Sequence, residues 1–225
     1  EIYAAMWRVT RQPWTIISGM EHSDEEDGIW KSTDGGDTWR MVKEGLPTGL
    51  IGKIDLAVTA AAPNTVYALV ETTDPNEGLY RSNDFGETWE MVSNQRGIMN
   101  RPFYYTNVDV DPTDVDHVII NNEGMYESFD GGRTNQRKST PHGDNHDVWI
   151  NPDNPDIWVQ SNDGGANVTL DGGTTWSTQS NQPTAELYAV DVDDRFPYWL
   201  YAGQQDNSTI MVPSGPPEDG SAGGH

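Results

Sequence analysis

Apolar positions in this chain come in short runs, and the residues that break them are turn formers. The stretches DLAVTAAAPNTVYALV (55–70), NVDVDPTDVDHVIIN (107–121) and DVWINPDNPDIWVQSN (147–162) each read as a strand, a Pro/Asn/Asp turn and a second strand. A further such stretch starts at AVDVDDRFPYWLYAGQQ (189–205). No apolar stripe of helical period reaches helical length. The pattern predicts an all-β chain.

A second unit recurs downstream of these pairs. GIWKSTDGGDTWRMV (28–42) matches GLYRSNDFGETWEMV (78–92), with weaker copies at GMYESFDGGRTNQRK (124–138) and GANVTLDGGTTWSTQ (165–179). The shared aspartates are Asp34, Asp84, Asp130 and Asp171, so the spacings are 50, 46 and 41 residues. Each repeat therefore reads strand, turn, strand, loop, strand, tight turn, strand. That period suits one four-stranded antiparallel blade of a β-propeller and is too short for an independent sandwich domain. The expected units are 1–44, which lacks an innermost strand, then 51–95, 103–140 and 146–180, each complete, and 186–212, which begins a fifth. About four to five blades make an incomplete propeller, so the remaining blades of a longer polypeptide are expected partners. The opening EIYAAMWRV is expected to lie inside a domain, and 213–225 to be loop or disordered.

The tight turn has the form S/T-x-D-x-G-x-T-W. Its Asp is placed to accept hydrogen bonds from the turn's own N–H groups, and Gly at the following positions allows positive φ. This pattern resembles the Asp-box, or bacterial neuraminidase repeat, over nearly the whole chain. The resemblance implies that Asp34, Asp84, Asp130 and Asp171 are structural turn formers rather than catalytic acids. The third copy departs from it, since Asn135 stands where the others have Trp.

Charge narrows the partners. The formal net charge is -23. A surface that acidic repels phosphate backbones and anionic membranes, which argues against nucleic acid. No apolar run is long enough for membrane insertion. Cysteine is absent, which removes disulfide and thiol chemistry.

The densest cluster of chemistry is STPHGDNHDVWINP (139–152). In propeller geometry it joins an outer strand to the next inner strand. It therefore shares a face with the loops joining second and third strands, opposite the tight turns. Asp-box propellers generally bind ligands on that face, so the resemblance implies a ligand-binding mouth here. The loop NQRGIMNRPFYY (94–105) brings Arg101 and Tyr105, SNDGGA brings Asn162 and Asp163, and AGQQDNST brings Gln205 and Asp206. TRQPWTIISGMEHSDEEDG (10–28), read as a loop, adds Trp14 and the acids Asp24, Glu25, Glu26 and Asp27. Such amide- and aromatic-rich loops suit a glycan or a peptide.

Three chemistries compete for the central stretch. His142, Asp144 and His146 alternate along an extended segment, so a divalent metal is one reading, although no zinc motif is present. Glycoside hydrolysis is another, with Asp144 or Asp147 as one catalytic carboxylate and Asp163 or Asp206 as its partner. His142, Asn145, His146 and Arg101 would then position substrate, and Trp14 or Tyr105 would stack on sugar rings. Asp-box propellers include sialidases, xyloglucan-active glycosidases, sortilin-type receptor domains and photosystem assembly factors. Sialidases need an arginine triad and a tyrosine nucleophile, and only nine arginines occur here. The units and HGDNHD look most like exported bacterial proteins of sortilin or glycosyl-hydrolase-like type, which implies a periplasmic or secreted location. The third reading is a non-catalytic, sortilin-like propeller binding peptide or glycan, or serving as a scaffold.

Overall fold

The computed structural model describes residues 1–18, 25–73, 75–182 and 185–215. The first strand, β1 (Ile2–Met6), leads into a separate hairpin of β2 (Val9–Gln12) and β3 (Thr15–Ser18). The chain then returns through β4 (Gly28–Ser32) and β5 (Arg40–Val42), and the first sheet has the order β1-β4-β5. The hairpin replaces part of the expected loop. Val9, Thr10, Thr15, Ile16 and Ile17 are β-branched, and Gln12 pairs with Thr15, which leaves Pro13 and Trp14 as the turn. Residues 19–24, with Asp24 among them, lie outside the described residues.

The second sheet, β6 (Ile51–Val58), β7 (Val66–Thr72), β8 (Gly78–Ser82) and β9 (Glu90–Ser93), is four-stranded and antiparallel in chain order. So is the third, β10 (Asn107–Val110), β11 (Val118–Asn121), β12 (Met125–Ser128) and β13 (Gln136–Lys138). The fourth, β14 (Asn145–Ile150), β15 (Trp158–Asn162) and β16 (Gly165–Thr169), has three strands where the sequence predicts four. Its outer edge is served by Ser177, whose N–H donates to the Val168 carbonyl at 2.8 Å. The Ser177 hydroxyl oxygen accepts the Val168 N–H at 2.9 Å, so a side chain stands where a strand carbonyl would be. The fifth sheet is β17 (Leu187–Val192), β18 (Trp199–Gln204) and β19 (Thr209–Pro213). Of the expected tail, 216–225 lies outside the described residues.

The first strands β6, β10 and β14 run side by side. Apolar residues fill the space between consecutive sheets. Ile29 and Val42 meet Val70 and Trp89 between the first and second, and Tyr67 and Leu79 meet Val108 and Ile120 between the second and third. Ile119 and Met125 meet Val148 and Trp158 between the third and fourth. Among the described residues, no buried cluster joins the fourth to the fifth.

The four recurring turns have one hydrogen-bond pattern. In the second, the Ser82 hydroxyl donates to Asp84 at 2.8 Å and accepts the Gly86 N–H at 2.8 Å. Asp84 also accepts the Thr88 N–H at 2.9 Å and the Thr88 hydroxyl at 2.6 Å. These donors, the Thr88 hydroxyl first, hold the Asp84 carboxyl down at about 2. An acid held ionised in this way is a poor proton donor. In the third turn Asn135 is buried, and its amide donates to the Gly132 carbonyl at 2.9 Å. That reproduces the bond of the Trp89 indole to the Gly86 carbonyl at 3.0 Å. Asn135 thus keeps the polar half of the tryptophan's role and gives up its apolar area. Asp84→Ala is expected to lower stability by about 1–2 kcal/mol, through several lost turn hydrogen bonds. Urea denaturation checks this, and ligand binding at the opposite face should be unaffected.

Candidate functional site

The segments joining each sheet's last strand to the next sheet's first strand, and those between second and third strands, gather at one end. Two of the latter turns are built alike. Asn122 Oδ1 accepts the Gly124 N–H at 3.0 Å, and Asn162 Oδ1 accepts the Gly164 N–H at 2.9 Å. Glu123 and Asp163 thereby occupy equivalent positions, and Asp206 lies in the corresponding turn of the fifth sheet. The Asp144 N–H donates to the Glu123 carbonyl at 3.2 Å, and the Asp163 N–H donates to the Asp144 carbonyl at 3.2 Å. Backbone bonds therefore lace the acids of neighbouring units together.

Carboxylate oxygens of Asp144, Asp163 and Asp206 all lie within 4.8 Å of one another. Asp163 and Asp206 line a polar pocket of about 430 Å³ together with Tyr104, Asn162, Glu186 and Gln205, and Asp144 stands beside these two acids. A smaller pocket, about 210 Å³ between the first two sheets, is lined mainly by apolar residues such as Ile29, Val42, Leu46 and Ile54, together with Glu25, Asp27 and Lys43.

Two of the three acids, Asp144 and Asp163, are held by a neighbour. The Tyr105 hydroxyl donates to Asp144 at 2.8 Å, and Arg101 donates to that hydroxyl at 3.2 Å. Burial first, and then the Asp144 carboxylate, push the Tyr105 phenol well above its ordinary value, so it stays a proton donor. His146 Nε2 lies 2.6 Å from Asp163, and the His146 ring meets the Tyr105 ring edge-on at 5.4 Å. Arg101 lies 5.1 Å from the centre of the Tyr104 ring. Non-glycine residues with positive φ are rare, yet Arg101 (50°), Asp144 (52°) and Asp206 (55°) all adopt it at this end.

Other expected site residues have different surroundings. Tyr105 is 1% exposed, so it reaches a ligand only through Asp144, while its neighbour Tyr104 is 44% exposed. Asn145 is buried and accepts the Gln160 amide at 2.6 Å. Asn162 joins Gln160 at 2.8 Å and Asn167 at 3.0 Å, and Gln179 donates to Asn162 at 2.6 Å. This chain of amides forms a floor beneath the acids. Gln160, Asn162 and Asn167 occupy inward positions of β15 and β16, which was the sequence signal for it. Trp14 is 81% exposed at the tip of its own hairpin, in a sheet separate from those carrying the acids.

His142 Nδ1 faces the Gly143 carbonyl at 2.9 Å and Nε2 faces the Asp206 carbonyl at 2.8 Å. Neither nitrogen points a lone pair into open space, and His146 Nε2 is engaged with Asp163. His142, Asp144 and His146 are therefore not disposed as a donor set.

Asp147 stands apart from the three acids. It lies on β14 beyond a bulge at Asn145/Asp147 and couples to Asp109 and Asp55 on the neighbouring first strands. Asp55 accepts the Val108 N–H at 2.7 Å, and Asp109 accepts the Val148 N–H, so each carboxylate ties its sheet to the next. Burial, then the charges of Asp147 and Asp55, push the Asp109 carboxyl up to about 8.

No family model and no curated protein matches the chain. Solved structures do match it. An ancestral GH74 enzyme superposes with a TM-score of 0.52 over 92% of this chain and 31% of its own, at 16% identity. The GH74 xyloglucanase from Xanthomonas campestris superposes with a TM-score of 0.51 over 82% of this chain and 32% of its own, again at 16% identity. The fold is an incomplete β-propeller. The sheets are its blades, and the chain spans about a third of the length of these two enzymes. Among the described residues, no helix is long and apolar enough to cross a membrane.

Proposed function

We propose that blades three to five present the ligand face of a glycan-active propeller of hydrolase type, with Asp144 and Asp163 as the working carboxylates. The observation that carries this reading is the convergence of acids from three separate loops, two of which line one polar pocket. Amide and carboxylate groups around the pocket suit sugar hydroxyls, and the half-exposed Tyr104 ring suits an apolar sugar face. Retaining glycosidases hold their two carboxyl groups roughly 5–5.5 Å apart and inverting ones roughly 6.5–9.5 Å apart. Oxygens within 4.8 Å of one another lie nearer the retaining spacing than the inverting one. In that scheme one carboxylate attacks the anomeric carbon and the leaving oxygen takes a proton from the other. Water then releases the sugar, and the proton returns. Tyr105 and Arg101 would orient Asp144, and His146 would orient Asp163. The Asp-box and sortilin-type resemblance supports this placement and, with it, a periplasmic or secreted location.

A second reading is recognition without catalysis, by a sortilin-like propeller whose ligand is a glycan or a peptide. It is favoured by the internal partners that Asp144 and Asp163 already carry, Tyr105 and His146. The test is sugar release by the full-length protein from a panel of soluble polysaccharides that includes xyloglucan. Asp144→Asn and Asp163→Asn, each confirmed folded by circular dichroism, are expected to lower turnover at least about a hundredfold. Turnover unchanged in both would remove these residues from the chemistry. Binding without turnover, weakened by the same changes, would establish the second reading.

A further inference from the structure

We propose that His142 is a positioning residue that straps blade five onto blade four and so completes the pocket, whatever ligand the pocket takes. Blades one to four are sealed by apolar clusters between their sheets, and among the described residues the fifth is not. Its first strand, β17, is exposed along its whole length. On blade four, Trp149, Val159 and Val168 stand in register across all three strands and remain uncovered, with Trp149 54% exposed. The two sheets therefore lack the side-by-side packing that joins β6, β10 and β14.

What joins them lies at the mouth. His142 belongs to the loop entering blade four, and its Nε2 reaches the Asp206 carbonyl in the turn of blade five at 2.8 Å. Its other nitrogen is anchored on the Gly143 carbonyl at 2.9 Å, so rotating the ring breaks one contact or the other. Gly164 lies directly beneath. A Cβ there would stand 2.6 Å from Gln179 Oε1 and 2.8 Å from His142 Cγ and Cδ2, so glycine leaves room for the ring on one side and for the Gln179 amide on the other. The strapped turn supplies one wall of the pocket, Gln204 to Asn207, and Asp163 to Gly165 supply the facing wall. Releasing Asp206 would separate the walls and withdraw one of the three clustered carboxylates.

The chain has no cysteine, so paired spin labels can be placed cleanly. Asp153→Cys and Asp194→Cys put one label on an exposed turn of each blade, at the end away from the mouth. In the full-length protein, with any cysteine outside this chain replaced by serine, the label-to-label distance should be single and narrow. His142→Ala should broaden it and shift it to longer values, and amide exchange in 204–208 should quicken several-fold. Gly164→Ala keeps the histidine but crowds its ring and the Gln179 amide, and should act in the same direction, whereas Gln179→Ala, which leaves the ring in place, should not. Gly164→Ala also serves if His142→Ala does not fold. Distances and exchange that stay at wild-type values in folded His142→Ala or Gly164→Ala protein would overturn the proposal.

Discussion

Trp158→Ala is expected to remove about 3–5 kcal/mol of stability, the range for deleting a buried large aromatic side chain. Trp158 is among the largest fully buried side chains of the chain, 1% exposed at the start of β15. It closes the cluster of Ile119, Met125, Val148 and Ile150 between the third and fourth blades. Its ring lies 6.2 Å from that of Trp176 and 5.7 Å from that of His117, and the Lys138 ammonium sits 5.1 Å from its centre. Its indole N–H donates to the Pro155 carbonyl at 2.6 Å. Alanine abandons all of these at once. Natural domains hold only about 5–15 kcal/mol in reserve, so the urea midpoint should fall by roughly a fifth or more. Trp158→Phe should recover part of the loss. A fall of under about 1 kcal/mol for alanine would mean that the neighbouring blades repack across the gap.

Removing His117 is the second large effect, and it depends on pH. His117 lies buried on the face opposite the pocket, with Nδ1 2.9 Å from Asp111 and Nε2 3.0 Å from Glu127. Lys138 donates to the other Glu127 oxygen at 2.8 Å, and Phe129 stacks on the imidazole at 4.6 Å. Burial pulls the imidazole pKa down, but the two carboxylates outweigh it and raise it above the usual 6.5. Burial works against the Asp111 and Glu127 carboxyls as well, yet their partners lower both below the usual 3.8 and 4.5. A raised imidazole stabilises the fold fully below pH 6.5, and that contribution fades as pH climbs through the raised value. Depressed carboxyls stabilise above their ordinary values and lose this as pH falls through the lowered ones. The network therefore contributes most between about pH 4.5 and 6.5. His117→Ala leaves two buried carboxylates short of a partner and should cost about 3 kcal/mol at pH 6. Unfolding free energies measured from pH 5 to 9 should show the gap to wild type narrowing toward the alkaline end. A gap independent of pH would mean that His117 is not charged in the fold.

The fold was legible because its grammar is local. A turn that satisfies its own donors within about eight residues leaves a sequence mark wherever it occurs, and strand alternation around it marks the faces. The convergence of Asp144, Asp163 and Asp206 was legible for a related reason, since loop order in a propeller decides which loops meet. What was hidden depends on side-chain direction. Tyr104 and Tyr105 are adjacent and chemically alike, yet one opens on the pocket and the other is buried under Asp144. Asp147 is three residues from Asp144, but the bulge at Asn145/Asp147 turns it toward Asp109 and Asp55. Ser177 ends the fourth blade's edge through a hydroxyl hydrogen bond that no strand propensity registers. The β2–β3 hairpin was missed because the acids and glycine after it outweighed its β-branched residues.

The Ser–Asp–Thr turn has a consequence for how such chains change over generations. Its bonds run within one unit, Ser82 to Asp84 and Gly86, and Asp84 to Thr88. A duplicated or deleted unit would carry the bonds inside this turn complete, although the turn's surroundings are tied across the boundary, where the Trp89 N–H donates to the Glu44 carbonyl at 3.0 Å and the Lys31 ammonium to the Phe85 carbonyl at 2.7 Å. The axial ties differ, because Asp55 reaches Val108 and Asp109 reaches Val148, each in the following unit. The inside of the turn thus survives a copying error, and the ties between units are where one tells. Gain or loss of a whole repeat should leave its trace in the inner-strand carboxylates before any appears in the tight turns.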